Sequence, residues 1–152
     1  MDRATSPVVG TVLLIALTVI AAASIGVAVT ASTADPPPSA AIETTADPET
    51  NEITVTHRGG DTVDVSELSV HITIDGQPLA EQPPVPFFAA PGFVSGPGGP
   101  FNAASPDEFR AGQTATIQLA TTNDPLLSPG STVTVEFRTD DTVIARATTT
   151  AR

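Results

Sequence analysis

Apolar and polar residues follow two different rhythms along this chain. Residues 8–31 hold no charged side chain and show no polar alternation. At about 1.5 Å per residue this stretch, folded as a helix, is long enough to cross a hydrocarbon core of about 30 Å. Bulky residues (Val8, Val9, Val12, Leu13, Leu14, Ile15, Leu17, Val19, Ile20) fill its first half, and small ones its second. Thr18, Ala22, Gly26 and Thr30 recur every four residues, so on a helix they form one ridge of small side chains that a second helix can approach closely. Pro36, Pro37 and Pro38 then end the helix, having no N–H to continue it, and favour an extended spacer.

Beyond the spacer the period becomes two. Ile53 and Val55 alternate with threonines; Leu68, Val70, Ile72 and Ile74 with Ser69, His71 and Thr73. Ala115, Ile117 and Leu119 alternate with Thr114, Thr116 and Gln118, and Val133, Val135 and Phe137 with Thr132, Thr134 and Glu136. Each run predicts a strand with one apolar and one polar face. Two more are predicted near residues 40–45 and 142–149. Turn signals stand between them at Gly59-Gly60-Asp61, Asp75-Gly76, Arg110-Ala111-Gly112 and Ser128-Pro129-Gly130.

Residues 77–106 break the alternation. They are too rich in Pro and Gly for a central strand, and they contain Phe87, Phe88, Phe93 and Phe101 out of six phenylalanines in the chain. Such a long loop has two uses: its rings fold back to cap an open end of the head, or they form a contact surface for a subunit or ligand. The expected fold class is therefore α+β: a long N-terminal apolar helix followed by an antiparallel, Ig-like β-sandwich head. The expected division is residues 1–3, a helix over 4–33, a linker over 34–39 and a head over 40–152, with the 77–106 insertion.

Charge narrows the partners. Among 152 residues, 17 are acidic and 6 basic, for a net charge of -11, and all six basic residues are arginines. A chain so acidic is repelled by nucleic acid and by anionic membrane surfaces. Acid-rich, lysine-free and rich in threonine, it has the composition of a halophile protein, whose self-repulsion is screened at about 1 M salt, where the Debye length is about 3 Å. There is no cysteine, so neither disulfides nor thiolate metal sites stabilise the head.

Catalytic chemistry is sparse. His57 and His71 sit on strand surfaces among apolar neighbours, which is the setting of structural histidines. Asp61/Asp64 and Asp140/Asp141 lack the spacing of a calcium loop and are ordinary turn residues. Gly96-Pro97-Gly98-Gly99 precedes a proline rather than a helix, so it is no phosphate loop. No nucleophile elbow and no N-glycosylation sequon is present. The chain reads as a non-enzyme with no catalytic residue, metal or cofactor.

Three roles fit the apolar N-terminus. It can be a secretory signal peptide cut near Ala21-Ala22-Ala23, although the apolar run continues past that point. It can be a plain membrane anchor with Arg3 inside. In the third, the cut precedes the apolar run. The order Asp2-Arg3, then Ala4-Thr5-Ser6-Pro7-Val8-Val9-Gly10, then an unbroken apolar helix, resembles the N-terminus of euryarchaeal type IV pilins, particularly haloarchaeal ones of the adhesion-pilus type.

That resemblance implies a prepilin peptidase cut between Arg3 and Ala4, and makes Ser6, Pro7, Val8, Val9 and Gly10 the mature N-terminal motif. It also implies partners: the membrane before assembly, the pilus assembly machinery, and further copies of the chain in a helical filament at the cell surface. The blocks "ITVTHRGGDTVDVSELSV" and "FRAGQTATIQLA" resemble the strand–turn–strand blocks of that family's heads. The competing role is a membrane-anchored or secreted β-domain that binds or assists without polymerising.

Overall fold

Helix α1 runs Thr5–Thr30 and begins with a proline in its first turn. Pro7 is tolerated there because the first N–H groups of a helix have no intrahelical acceptor. The computed structural model describes residues 5–30 and 38–152, with side chains from residue 7 to 23 and from 38 onward. The expected leader (1–3), both ends of the expected 4–33 helix and residues 34–37 of the linker lie outside the described residues. The chain divides into two units, Met1–Pro36 and Pro37–Arg152.

In the second unit every strand pairing is antiparallel. β1 (Ala40–Asp47), β2 (Glu52–Gly60) and β7 (Thr114–Gln118) form one sheet in the order β1-β2-β7. β5 (Gln77–Pro78), β4 (Leu68–Ile74), β8 (Thr132–Thr139) and β9 (Thr142–Thr150) form a second in that order, and β3 (Val63–Asp64) pairs with β6 (Glu108–Phe109). Neighbouring strands β8 and β9 are joined by Asp140-Asp141, both at positive φ (47° and 64°), a backbone whose twist matches that of the strands it joins.

The period-two pattern determines which side is buried. Ile53, Val55, Leu68, Val70, Ile72, Ile74, Ala115, Ile117, Val133, Val135 and Phe137 all enter one hydrophobic core shared by both larger sheets. The strands fall where alternation predicts them, with β2 longer than expected. It continues through Gly59 and Gly60, because a register shift between Ala41 and Ile42 lets Ala40 and Ala41 pair with those glycines. His57 also differs from its expected strand-surface position. It shares the parity of Ile53 and Val55 and so lies on the inner face, fully buried.

The 77–106 insertion is built into the head. The side-chain amide of Gln82 takes the place of a strand neighbour, accepting from Ile72 N–H at 2.8 Å and donating to Ile72 C=O at 3.0 Å. Phe93 forms a bridge to Leu119 and Gly98 one to Thr116, just beyond and within β7. A 3-10 turn, Gly99–Phe101, then carries Phe101 into the core.

Candidate functional site

On α1 the described apolar side chains face outward all along the helix. Val8, Val9, Val12, Leu13, Leu14, Ile15, Leu17, Val19 and Ile20 are exposed, from 55% at Val9 to 65% at Leu17. A helix that is apolar on every side, with no polar face to give to water, is suited to lipid or to the interior of an assembly. The described hydroxyl groups on it, those of Thr11 and Thr18, are already occupied. Thr11 Oγ1 donates to Val8 C=O at 2.9 Å, and Thr18 Oγ1 to Leu14 C=O at 2.8 Å and Ile15 C=O at 2.9 Å. Turning these donors onto the helix's own backbone removes the penalty of carrying a hydroxyl into an apolar setting.

Of the predicted ridge, Thr18 and Ala22 are exposed, while Gly26 and Thr30 lie within α1 with their side chains outside the described residues. Ser6, Pro7, Val8, Val9 and Gly10 occupy the first two turns of the helix, and Arg3 and Ala4 lie outside the described residues. Among the described residues no helix is long and apolar enough to cross a membrane.

Three of the four loop phenylalanines fold back into the head and one stays exposed. Phe87, Phe93 and Phe101 are buried, with Phe87 and Phe93 at 5.6 Å and Phe101 and Phe109 at 5.6 Å, centroid to centroid. Phe88 is 62% exposed. Asn123, which nothing in the sequence pattern marks, is the buried clamp of this region. Its Oδ1 accepts from Glu81 N–H (3.1 Å) and Asp124 N–H (3.0 Å), and its Nδ2 donates to the carbonyls of Glu81 (3.0 Å) and Gly92 (3.1 Å).

The outer face of β4, β8 and β9 carries a shallow concavity lined by His71, Thr73, Thr134, Glu136, Arg138, Arg146 and Thr148. His71 is opposite Glu136, and Glu136 opposite Arg146, in the strand register. The Arg146 and Arg138 guanidinium groups bond the Glu136 carboxylate and hold it below the usual glutamate range. The remaining candidates serve local structure. Asp64 caps the 3-10 turn Val65–Glu67, and the Ser66 hydroxyl and N–H lower its pKa. Asp61 accepts from Ser39 N–H at 3.0 Å. The His57 ring contacts Phe109 edge-on at 5.2 Å, and its Nε2 lies 2.9 Å from Asp61 C=O. Among the described residues no group of three or more metal-ligating side chains comes together.

The chain thus carries an apolar helix in one unit and an antiparallel β-rich head in the other. Residues 3–42 match the family model for the N-terminal region of archaeal type IV pilins. Over those residues the chain is similar to archaeal type IV pilins. The match covers α1 and the first residues of β1. No curated protein matches the chain.

Proposed function

We propose that this chain is the structural subunit of an archaeal type IV pilus, held in the membrane by its N-terminal helix and then polymerised through it. The observation that carries this reading is α1 itself, an apolar helix within the matched region whose described bulky side chains are exposed. In a bilayer its backbone is satisfied internally and its side chains suit lipid. Once extracted, the same surface packs against other copies. Burial of apolar area at about 25 cal/mol per Å2 makes such a core hard to dissociate in water. Contacts that pair two different surfaces and do not close on themselves extend into a filament.

The prepilin peptidase cut falls between Arg3 and Ala4, and the motif from Ser6 to Gly10 opens the mature helix. The head is an Ig-like sandwich that coats the filament with an acidic surface suited to high salt and to adhesion at the cell surface.

Two measurements test this. N-terminal sequencing of the protein from cells is expected to begin at Ala4. A start at Ser24 would mean a secreted head, and an intact Met1 or Asp2 a simple anchor. Electron microscopy of cells with and without the gene is expected to show filaments that depend on it; their absence would leave the non-polymerising, anchored β-domain.

A further inference from the structure

We infer that the loop surface bearing Phe88 and Val94 is the place where the head of one copy meets the head of another. This rests on the filament reading, which brings heads side by side.

Charge is the first argument. Asp2, Arg3 and Asp35 precede the head, which leaves it 15 of the 17 acidic residues against 5 of the 6 basic ones. Two such heads repel wherever their acidic surfaces meet. Residues 82–106, however, contain no charged residue, so a contact made through them adds no charge of the loop's own to that repulsion.

The second argument is apolar exposure. Outside α1, the large hydrophobic side chains exposed among the described residues are Phe88 (62%), Val94 (43%) and Val143 (41%), and the first two share this loop. Single exposed apolar residues are ordinary; two on one uncharged, well-held surface mark an interface.

The third is preorganisation. Gly96 N–H donates to Phe88 C=O at 2.7 Å, tying the two limbs of the loop together, and Val94 N–H donates to Gln118 C=O at 2.9 Å, tying the loop to β7. Phe87 and Phe93, each one residue before an exposed side chain, are anchored in the core. The backbone that points Phe87 and Phe93 inward thus presents Phe88 and Val94 outward, and little entropy remains to be lost on contact. A cationic partner would settle on the acidic faces instead. An uncharged apolar loop suits a partner that is acidic elsewhere, which is a second copy of this chain. High salt favours the contact by screening the remaining repulsion.

The test uses the full-length chain in its native cells, with the photoreactive p-benzoylphenylalanine in place of Phe88 and, separately, of Glu49 on an exposed acidic turn. Irradiation is expected to give chain-to-chain products from position 88 that map to residues 38–152 of another copy, and far less from position 49. Products with other proteins or lipid only, no product, or equal yields from both positions would overturn the inference. Adding Val94→Glu to the position-88 chain is expected to remove most of the product; an unchanged yield counts against it. Filaments without position-88 products sink this contact and leave the filament reading. Position-88 products without filaments do the reverse.

Discussion

Asn123 Nδ2 donates to the carbonyl of Gly92 at 3.1 Å, joining the middle of the proline-rich insertion to the loop that follows β7. Four backbone groups depend on this one buried amide. Asn123→Ala leaves them without partners in a site that water reaches poorly, and each buried, unmatched polar group costs about 1–3 kcal/mol. Thermal unfolding is expected to fall by several degrees. Asn123→Asp, nearly the same shape, is expected to do comparable damage, because a carboxylate cannot donate to the Glu81 and Gly92 carbonyls. An Asp variant as stable as the parent would show that the donor half of the clamp is idle.

Glu136 gives a pH dependence of known sign. Its carboxyl titrates below the ordinary value of 4.5 because Arg146, and then Arg138, bond the charged form. A depressed carboxylate pKa contributes stability that is fully present above the unfolded value and is lost as pH falls through the folded one. Glu136→Gln is therefore expected to destabilise the head at pH 7 and to make little difference once pH has fallen below the depressed folded-state value, where the parent has lost the same charge. Both arginines are substantially exposed, at 40% and 61%, so after solvent screening the effect is at most about 1 kcal/mol. Molar salt is expected to shrink it further. Paired unfolding curves from pH 7 downward into acid, in low and high salt, check all three statements.

These residues show what the sequence could disclose. Alternation located the central strands because each has one face in a shared core and a one-residue slip would expose it; β4 falls at Leu68–Ile74, the residues its pattern marks. An N-terminal helix is equally plain, since its signal is local in the chain. His57 is read as a strand-surface residue from its apolar neighbours, whereas parity with Ile53 and Val55 puts it inside. Asn123 and Gln82 were missed for a different reason. Their partners lie 42 and 10 residues away, and no spacing along a chain announces a hydrogen bond that only the fold creates. The loop phenylalanines could not be sorted because adjacent rings such as Phe87 and Phe88 are alike in sequence and opposite in burial.

At Gly99 the insertion passes close against β7. Its φ is +65°, and a Cβ there would stand 2.1 Å from the Thr114 carbonyl oxygen and 3.3 Å from Ala115 Cα. Neither neighbour can yield easily, since both are backbone of β7. Gly99→Ala is expected to cost more than the roughly 1 kcal/mol that a left-handed backbone alone imposes on a residue with a Cβ. Gly76→Ala separates the two effects: its φ is +81°, but nothing lies within 4 Å of the added atom. Chemical denaturation is expected to rank the parent first, Gly76→Ala slightly below it, and Gly99→Ala well below both. Equal losses in the two variants would mean that the approach to β7 costs nothing.

The helix ridge yields the most direct test of assembly. If Thr18, Ala22, Gly26 and Thr30 are where neighbouring helices come closest, a large side chain on the ridge forces the helices apart, and the van der Waals contacts of a close approach are lost. Gly26→Leu makes the helix more apolar, so its affinity for a bilayer rises rather than falls. The expected outcome is therefore specific: precursor accumulates in the membrane fraction while filaments counted by electron microscopy drop sharply. Val19→Leu, which enlarges a residue off the ridge, is expected to leave filament numbers near those of the parent. The core of the head involves residues of the second unit alone, so its unfolding transition is expected to stay unchanged in both variants. Normal filaments from Gly26→Leu would remove the ridge as the packing surface, and equal losses from both variants would mean that assembly senses helix volume in general rather than this one face.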